Sequence, residues 1–466
     1  MKHQLTAKNA AGFLPPHPTW TAMWILRHFD RLYLRLGKGT RELRIINPSP
    51  LHDAYREFQA GNTRLLVLFR HVDVADGPVV MSALTAELRR YDRTLRPSEQ
   101  LPRKPHAHFL YGKDVLNWAG AGARWLFPRI GGIPVANTRL DRQSHQAIRE
   151  VILRGDHPLA LAPEGQVTYQ MFRVSELTAG AGTMAHWIER DLLSAARTAP
   201  DDARERPGIV LLPMAIGYHL AADHGAVVEE ALSRLEAAVG MRVPTAPTRT
   251  ERVLSVTDLM LSLLAELYTD AYSGVFKGVD LETIDRSARI ERLCDLILRC
   301  AELGVVRGHQ QSILRRLFGA RFRSSDIRYR EDIDVPSLAP AVRAWADFRT
   351  LSAWSIDRHV QIVDVLMYLD PSYIGTERSR HRLAEYALNL LDLANRLSGG
   401  NIDSRYSPRS KRARILVGEP IDAATVLRQS SRSPKRAITA LNKLVHEALV
   451  SLSADLEGRM VSEQPR

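Results

Sequence analysis

Residues 64 to 220 carry a pattern that few folds satisfy. Four apolar runs, "RLLVLF" (64–69), "GGIPVAN" (131–137), "HPLALAPEG" (157–165) and "GIVLLPMAIGY" (208–218), are separated by helical patterns: "GPVVMSALTAELRRY" (77–91), "RQSHQAIREVILRG" (142–155), closed by a glycine, and one near 180–197. Strands that are apolar throughout, rather than alternating, must be covered on both faces. The pattern therefore predicts an α/β fold, a mixed sheet flanked by helices. After residue 220 the texture changes. A Pro/Thr-rich stretch, "RVPTAPTRT" (242–250), precedes almost wholly helical patterns, until strand texture returns once in "RARILVGEPID" (412–422), followed by a helix at about 434–456. A lone strand needs a sheet to join. The economical division is an N-terminal helical segment (1–49), the first part of an α/β domain (50–220), a large all-α insertion (221–410), and a closing strand and helix (411–466) that complete the first domain.

The N-terminal segment contains "PTWTAMWILRHFDRLYLRL" (18–36), helically spaced after a proline start, with Trp20, Trp24, Phe29, Tyr33 and Leu36 among Arg27, Arg31 and Arg35. Such a helix suits a membrane interface. It equally suits a helix packed on the core with its arginines in water. The net charge of +12 over 466 residues favours contact with something anionic: nucleic acid, a membrane surface or a phosphorylated substrate. No zinc-finger, helix-turn-helix or aromatic RNA-binding motif supports the first, so no nucleic acid is expected. The basic stretches "RGHQQSILRRLFGARFRSS" and "RYSPRSKRARI" fit either anionic headgroups or solvated surface. There is no run of about 18 uncharged apolar residues, and the N-terminus lacks the apolar core of a signal peptide. Cys294 and Cys300 fit no metal spacing or disulfide framework, which suits a reducing compartment. The expectation is a cytoplasmic protein, peripheral at the inner face of a membrane.

Chemistry concentrates where the runs end. "RLLVLF" delivers Arg70 and His71, and Asp76 follows five residues later. Histidine is the usual general base near neutral pH, and a carboxylate fixes its tautomer and stabilises its cation. The run 157–165 ends in Pro163, Glu164 and Gly165, a shaped loop at the same sheet edge. "ARWLFPRIGGIPVANTRLDR" adds Arg139 and Arg142, and Pro213 lies within the last run. Open α/β sheets bind ligands at strand carboxyl ends, where these loops gather. Tyr169 and Phe172 fit either a pocket lining or simple packing.

The order H-x-x-x-x-D (71–76), G-G-I-P-V (131–135), P-E-G (163–165), then a buried strand with an internal proline, resembles the glycerolipid acyltransferase superfamily typified by lysophosphatidic acid acyltransferase. "TAGAGTMA" (178–185) and "ILVGEPID" (415–422) sit where that family has a Gly/Ala helix start and a closing strand. The resemblance spans about 50–220 and 411–456. It implies an acyltransferase that moves a fatty acyl group from acyl-CoA or acyl-carrier protein to a hydroxyl of a lysophospholipid or related lipid acceptor. His71 would be the general base and Asp76 its orienting partner. Glu164 and Gly165 would shape the acceptor site, and no metal or bound cofactor is implied.

The chain departs from the family in three places. Arg70 stands where the family has asparagine. Gln166, Val167 and Thr168 replace its Thr-Arg-Ser, and Asn137 replaces another arginine. Phosphate sites favour bidentate arginines, so either Arg139, Arg142 or Arg173 substitutes or the acceptor is not a simple glycerol phosphate. A catalytically silent lipid-binding or scaffold protein on the same fold is the alternative. The sequence leaves acyl length, donor, acceptor and the role of 221–410 open.

Overall fold

The computed structural model describes residues 5–136, 141–198, 207–220, 223–240, 242, 245–302, 311–375, 380–429 and 433–463. The chain forms two compact units, Phe13–Ala222 with Arg409–Arg466, and Met1–Gly12 with Asp223–Pro408.

The first unit is built on an eight-stranded mixed sheet flanked by helices. Its strands are β1 (Thr40–Ile46), β2 (Thr63–Phe69), β3 (His108–Gly112), β4 (Ile133–Val135), β5 (Leu159–Leu161), β6 (Gly208–His219), β7 (Lys411–Val417) and β8 (Ile421–Asp422). The order is β1-β7-β6-β2-β5-β3-β4, with β8 also paired to β6. From β6 to β4 the strands run parallel, whereas β7 is antiparallel to β6 and parallel to β1. β2 lies centrally and is apolar on both faces, as its sequence requires. Leu66 and Leu68 join Ile209, Leu211 and the helices Arg142–Arg154, Gly180–Thr198 and Pro434–Ser462 in one core. Leu65 and Val67 face the other way, on the strand that the helix Ser49–Ala60 contacts. Gly155 ends the helix Arg142–Arg154 in the left-handed region at φ 68, the conformation that glycine adopts without steric cost.

The closing strand does enter the sheet, between β1 and β6, with the register His219 to Arg412 and Met214 to Val417. Two strands escape the sequence patterns. In "TRELRII" charged positions interrupt the apolar ones, because β1 is an edge strand whose Glu42 pairs with Arg414 of β7 at 3.0 Å. In "HFLYG" the run is too short to stand out. Residues 1–49 accordingly hold more than a helical segment: Met1–Gly12 group with the second unit and Thr40–Ile46 with the sheet.

The helix Trp20–Gly37 starts at Thr19, whose hydroxyl accepts from the Ala22 N–H at 3.4 Å. It turns Ala22, Asp30 and Leu34 inward, half-buries Met23 and Leu26, and leaves most of its other large apolar residues exposed. Part of the helix thus packs on the core with Arg31 and Arg35 in water, but its outer face is apolar as well as basic.

The second unit is helical, with His224–Val239, Arg249–Ala271, Arg286–Ala301, Ile313–Arg328, Pro340–Leu366 and Arg380–Leu397 as its main helices. Lys8–Asn9 pair in parallel with Tyr329–Arg330. Several of the basic side chains are internal here rather than presented outward. Arg316 bridges Asp295 and Glu302, Arg321 meets Asp364 at 2.8 Å, and Arg405 meets Asp392 at 2.8 Å. Cys294 and Cys300 are buried in Arg286–Ala301, and burial pushes both thiols up, Cys300 to about 11. They are packing residues. Among the described residues no helix is long and apolar enough to cross a membrane.

Candidate active site

β2 ends at Phe69, and Arg70 adds one more bond to the sheet by donating its N–H to Met214 O at 3.0 Å. The chain then turns through His71–Ala75 into the helix Asp76–Ser82. The turn is tied by the Asp73 carboxylate, which accepts from Ala75 N at 2.8 Å, and by Asp73 O, which accepts from Asp76 N at 3.1 Å. This brings His71 and Asp76 together: His71 Nδ1 lies 3.1 Å from Asp76 Oδ2.

Asp76 has no exposed surface, yet it does not lack partners. Its Oδ2 also accepts from the N–H groups of Val72 (2.6 Å) and Asp73 (2.7 Å), and its Oδ1 accepts from the Tyr218 hydroxyl at 2.5 Å. It further stands at a helix N-terminus, where the backbone dipole favours an anion. A carboxylate that only accepts assigns the proton of His71 to Nδ1 and leaves the Nε2 lone pair outward. No described residue hydrogen-bonds Nε2, and the side chain is 26% exposed. Burial alone would lower the imidazole pKa. The Asp76 hydrogen bond and charge, with Glu164 and Asp73 behind, outweigh it and leave His71 raised. A base with an oriented, accessible nitrogen and a stabilised cation can take a proton from a hydroxyl.

The P-E-G loop packs against the same turn. Gly165 takes φ 74, a left-handed turn after Glu164. Glu164 is buried, with Oε1 accepting from Arg70 Nε at 2.8 Å and Oε2 accepting from the His71 N–H at 2.8 Å. It thus holds the backbone beneath the candidate base, while Thr168 N donates to His71 O at 2.8 Å. Arg70 has no exposed surface. Beyond Glu164 it donates to the carbonyls of Gln170, Met171 and Arg173 and to Ser453 Oγ of the closing helix, at 2.8 to 3.1 Å. Arg70 is therefore the clamp of the loop. Within that loop Val167, Thr168, Tyr169 and Phe172 are buried. Tyr169 is held at φ 52, a left-handed conformation that costs a non-glycine residue roughly 1 kcal/mol or more.

Two further residues escaped the sequence reading. Tyr218 lies four places past Met214, the partner of Phe69, so its strand carries it beyond the end of β2 to Asp76. Desolvation, reinforced by the Asp76 and Asp73 charges, pushes its hydroxyl pKa well up, and it stays a donor. Lys411, the first residue of β7, is buried against the Tyr218 ring and meets Asp73 Oδ2 at 2.7 Å. The register of β2 on β6 is the only signal that could have found Tyr218, and it is not local.

The three arginines expected at the acceptor site differ from one another in position. Arg139, with Asn137, lies outside the described residues. Arg142 is exposed at the start of the helix after β4, a strand three places from β2 in the sheet order. Arg173 is half-buried and its carbonyl is fixed on Arg70. Comparison with known proteins finds neither a matching family model nor a matching curated sequence.

Proposed function

We propose that this chain is an acyltransferase that moves a fatty acyl group from an acyl thioester to a lipid hydroxyl, on a fold of the glycerolipid acyltransferase kind. One observation carries the reading: His71 is locked through Nδ1 on a buried carboxylate with four donors, while Nε2 has no described partner. Nε2 takes the hydroxyl proton as that oxygen bonds to the thioester carbonyl carbon. The tetrahedral intermediate collapses with cleavage of the C–S bond, and the proton on Nε2 passes to the departing sulfur. Asp76 stabilises the imidazolium between these steps. Glu164 acts through the His71 backbone, and Gly165 shapes the loop. Arg173, fixed to that loop, is the cation we assign to the acceptor headgroup. The donor is acyl-CoA or acyl-carrier protein.

Thiol release from a long-chain acyl-CoA, with and without a panel of lysophospholipid and other hydroxyl acceptors, tests this. Acceptor-dependent release should fall by about 10²–10⁴-fold in His71→Ala, the usual contribution of a general base. Release that is unchanged in the variant would refute the reading. The buried position of Val167, where the family carries an arginine, favours a second reading, a catalytically silent lipid-binding protein. Its signature is no acceptor-dependent release from either acyl-CoA or acyl-carrier protein.

A further inference from the structure

We infer that the outward face of the helix Trp20–Gly37 is a docking surface for an anionic lipid bilayer. Ile25, Phe29, Leu32 and Leu36 recur at intervals of four, three and four, one stripe of a helix. They are 42%, 51%, 50% and 75% exposed, so much of the stripe faces solvent. The inward stripe is instead made by Ala22, Asp30 and Leu34.

Beside the exposed apolar stripe runs a second one with the same intervals, Trp24, His28, Arg31 and Arg35, preceded one turn earlier by Trp20. Tryptophans flanked by cations belong at the level of lipid headgroups, with aliphatic and phenyl groups a little deeper. Charge selects the partner. The helix holds three arginines and one acid, and that acid, Asp30, points inward, where its Oδ2 accepts from Thr85 Oγ1 at 3.0 Å. The helix's own exposed charge is therefore positive; Arg31 donates to Glu87 Oε1 at 2.5 Å, and Arg35 is the exposed cation that no described carboxylate answers. An antiparallel pairing of this face with a second copy would set the cationic row against the same row, at the cost of like charges side by side. An anionic surface meets no such cost. The segment is tied to Gly120–Arg129 through Thr19 N to Arg129 O at 3.0 Å, and that helix adds Trp125, 51% exposed, with Arg129 over its ring. The proposal goes beyond the chemistry at His71 and does not depend on it.

Flotation of the full chain with phosphatidylcholine vesicles, with and without phosphatidylglycerol, reads the surface directly and needs no substrate. The wild type should float with the anionic vesicles and much less with the neutral ones. Phe29→Ser with Leu36→Ser removes two exposed apolar groups, so the fold should stand with an unchanged melting midpoint. Its partitioning should drop by about tenfold or more, since two apolar side chains no longer leave water on binding. Arg35→Gln should weaken binding to anionic vesicles alone, and Trp345→Ser, an exposed tryptophan of the helical unit, should change nothing. The inference is overturned if the wild type does not float, floats equally with both vesicles, or floats undiminished in the double variant. It is also overturned if Trp345→Ser loses as much as the double variant, or if the double variant turns a dimer into a monomer, which would give the face to a second copy.

Discussion

Asp76 is the residue on which the candidate site turns, because its four donors come from three directions: the imidazole, the backbone of its own turn and the end of β6. The raised pKa of His71 means that its basic form accumulates only above the ordinary histidine value of about 6.5. The acid limb of the acyl-transfer profile should therefore lie above that value. Asp76→Asn removes the main opposing influence and leaves burial, which lowers the pKa. The limb should then move to lower pH while the plateau rate falls by about 10²–10⁴-fold, read from kcat/KM against pH. Tyr218→Phe should act oppositely on the limb. Without the hydroxyl the carboxylate attracts the imidazole proton more strongly, so the limb shifts upward, at a stability cost of about 1–2 kcal/mol. Arg70→Met leaves Glu164 buried without its cation and should cost about 3–5 kcal/mol in a denaturant melt. His71 and Asp76 were legible in the sequence because five residues of one turn hold them. The role of Arg70 was not, since its partner Glu164 is 94 residues away and Ser453 is 383. Seen locally it is only an arginine where an asparagine was expected.

At the level of elements, the helix Gly180–Thr198 approaches the closing helix Pro434–Ser462 through Gly182. Its N–H donates to Asn442 Oδ1 at 2.9 Å, and a Cβ there would lie 2.9 Å from Ile438 O. The obstacle is backbone, which cannot swing aside. Gly182→Val should therefore part the two helices and lower stability by about 1–3 kcal/mol, as overpacking does. The Gly/Ala-rich helix start was visible as a motif, but its purpose emerges only with the helix it touches. The long parallel strands were equally visible, because burial on both faces writes an uninterrupted apolar run. β1 was hidden for the opposite physical reason: an edge strand retains charged positions, and its Glu42 answers an arginine on a strand some 370 places later.

Over the whole molecule, β6 and β7 are antiparallel neighbours whose ends meet at His219 and Arg412. Most of the helical unit's residues thus lie in the chain between two strands that a short turn could join, and such connections tolerate insertions. Removing residues 1–12 and joining 220 to 411 through a short Asn-Gly turn should leave a protein that melts cooperatively and retains the His71 chemistry, with any loss confined to functions of the helical unit. An unfolded product would show that the sheet needs that unit for stability. The position of β7 also has a consequence in time. β1 pairs with β7 alone, and β6 keeps an open edge until β7 arrives, so a chain still growing on the ribosome carries unpaired strands while everything up to residue 410 is made. Pairings this distant in sequence form slowly, and waiting edges invite wrong partners. Synthesis is therefore the stage at which these edges are most open to wrong pairing.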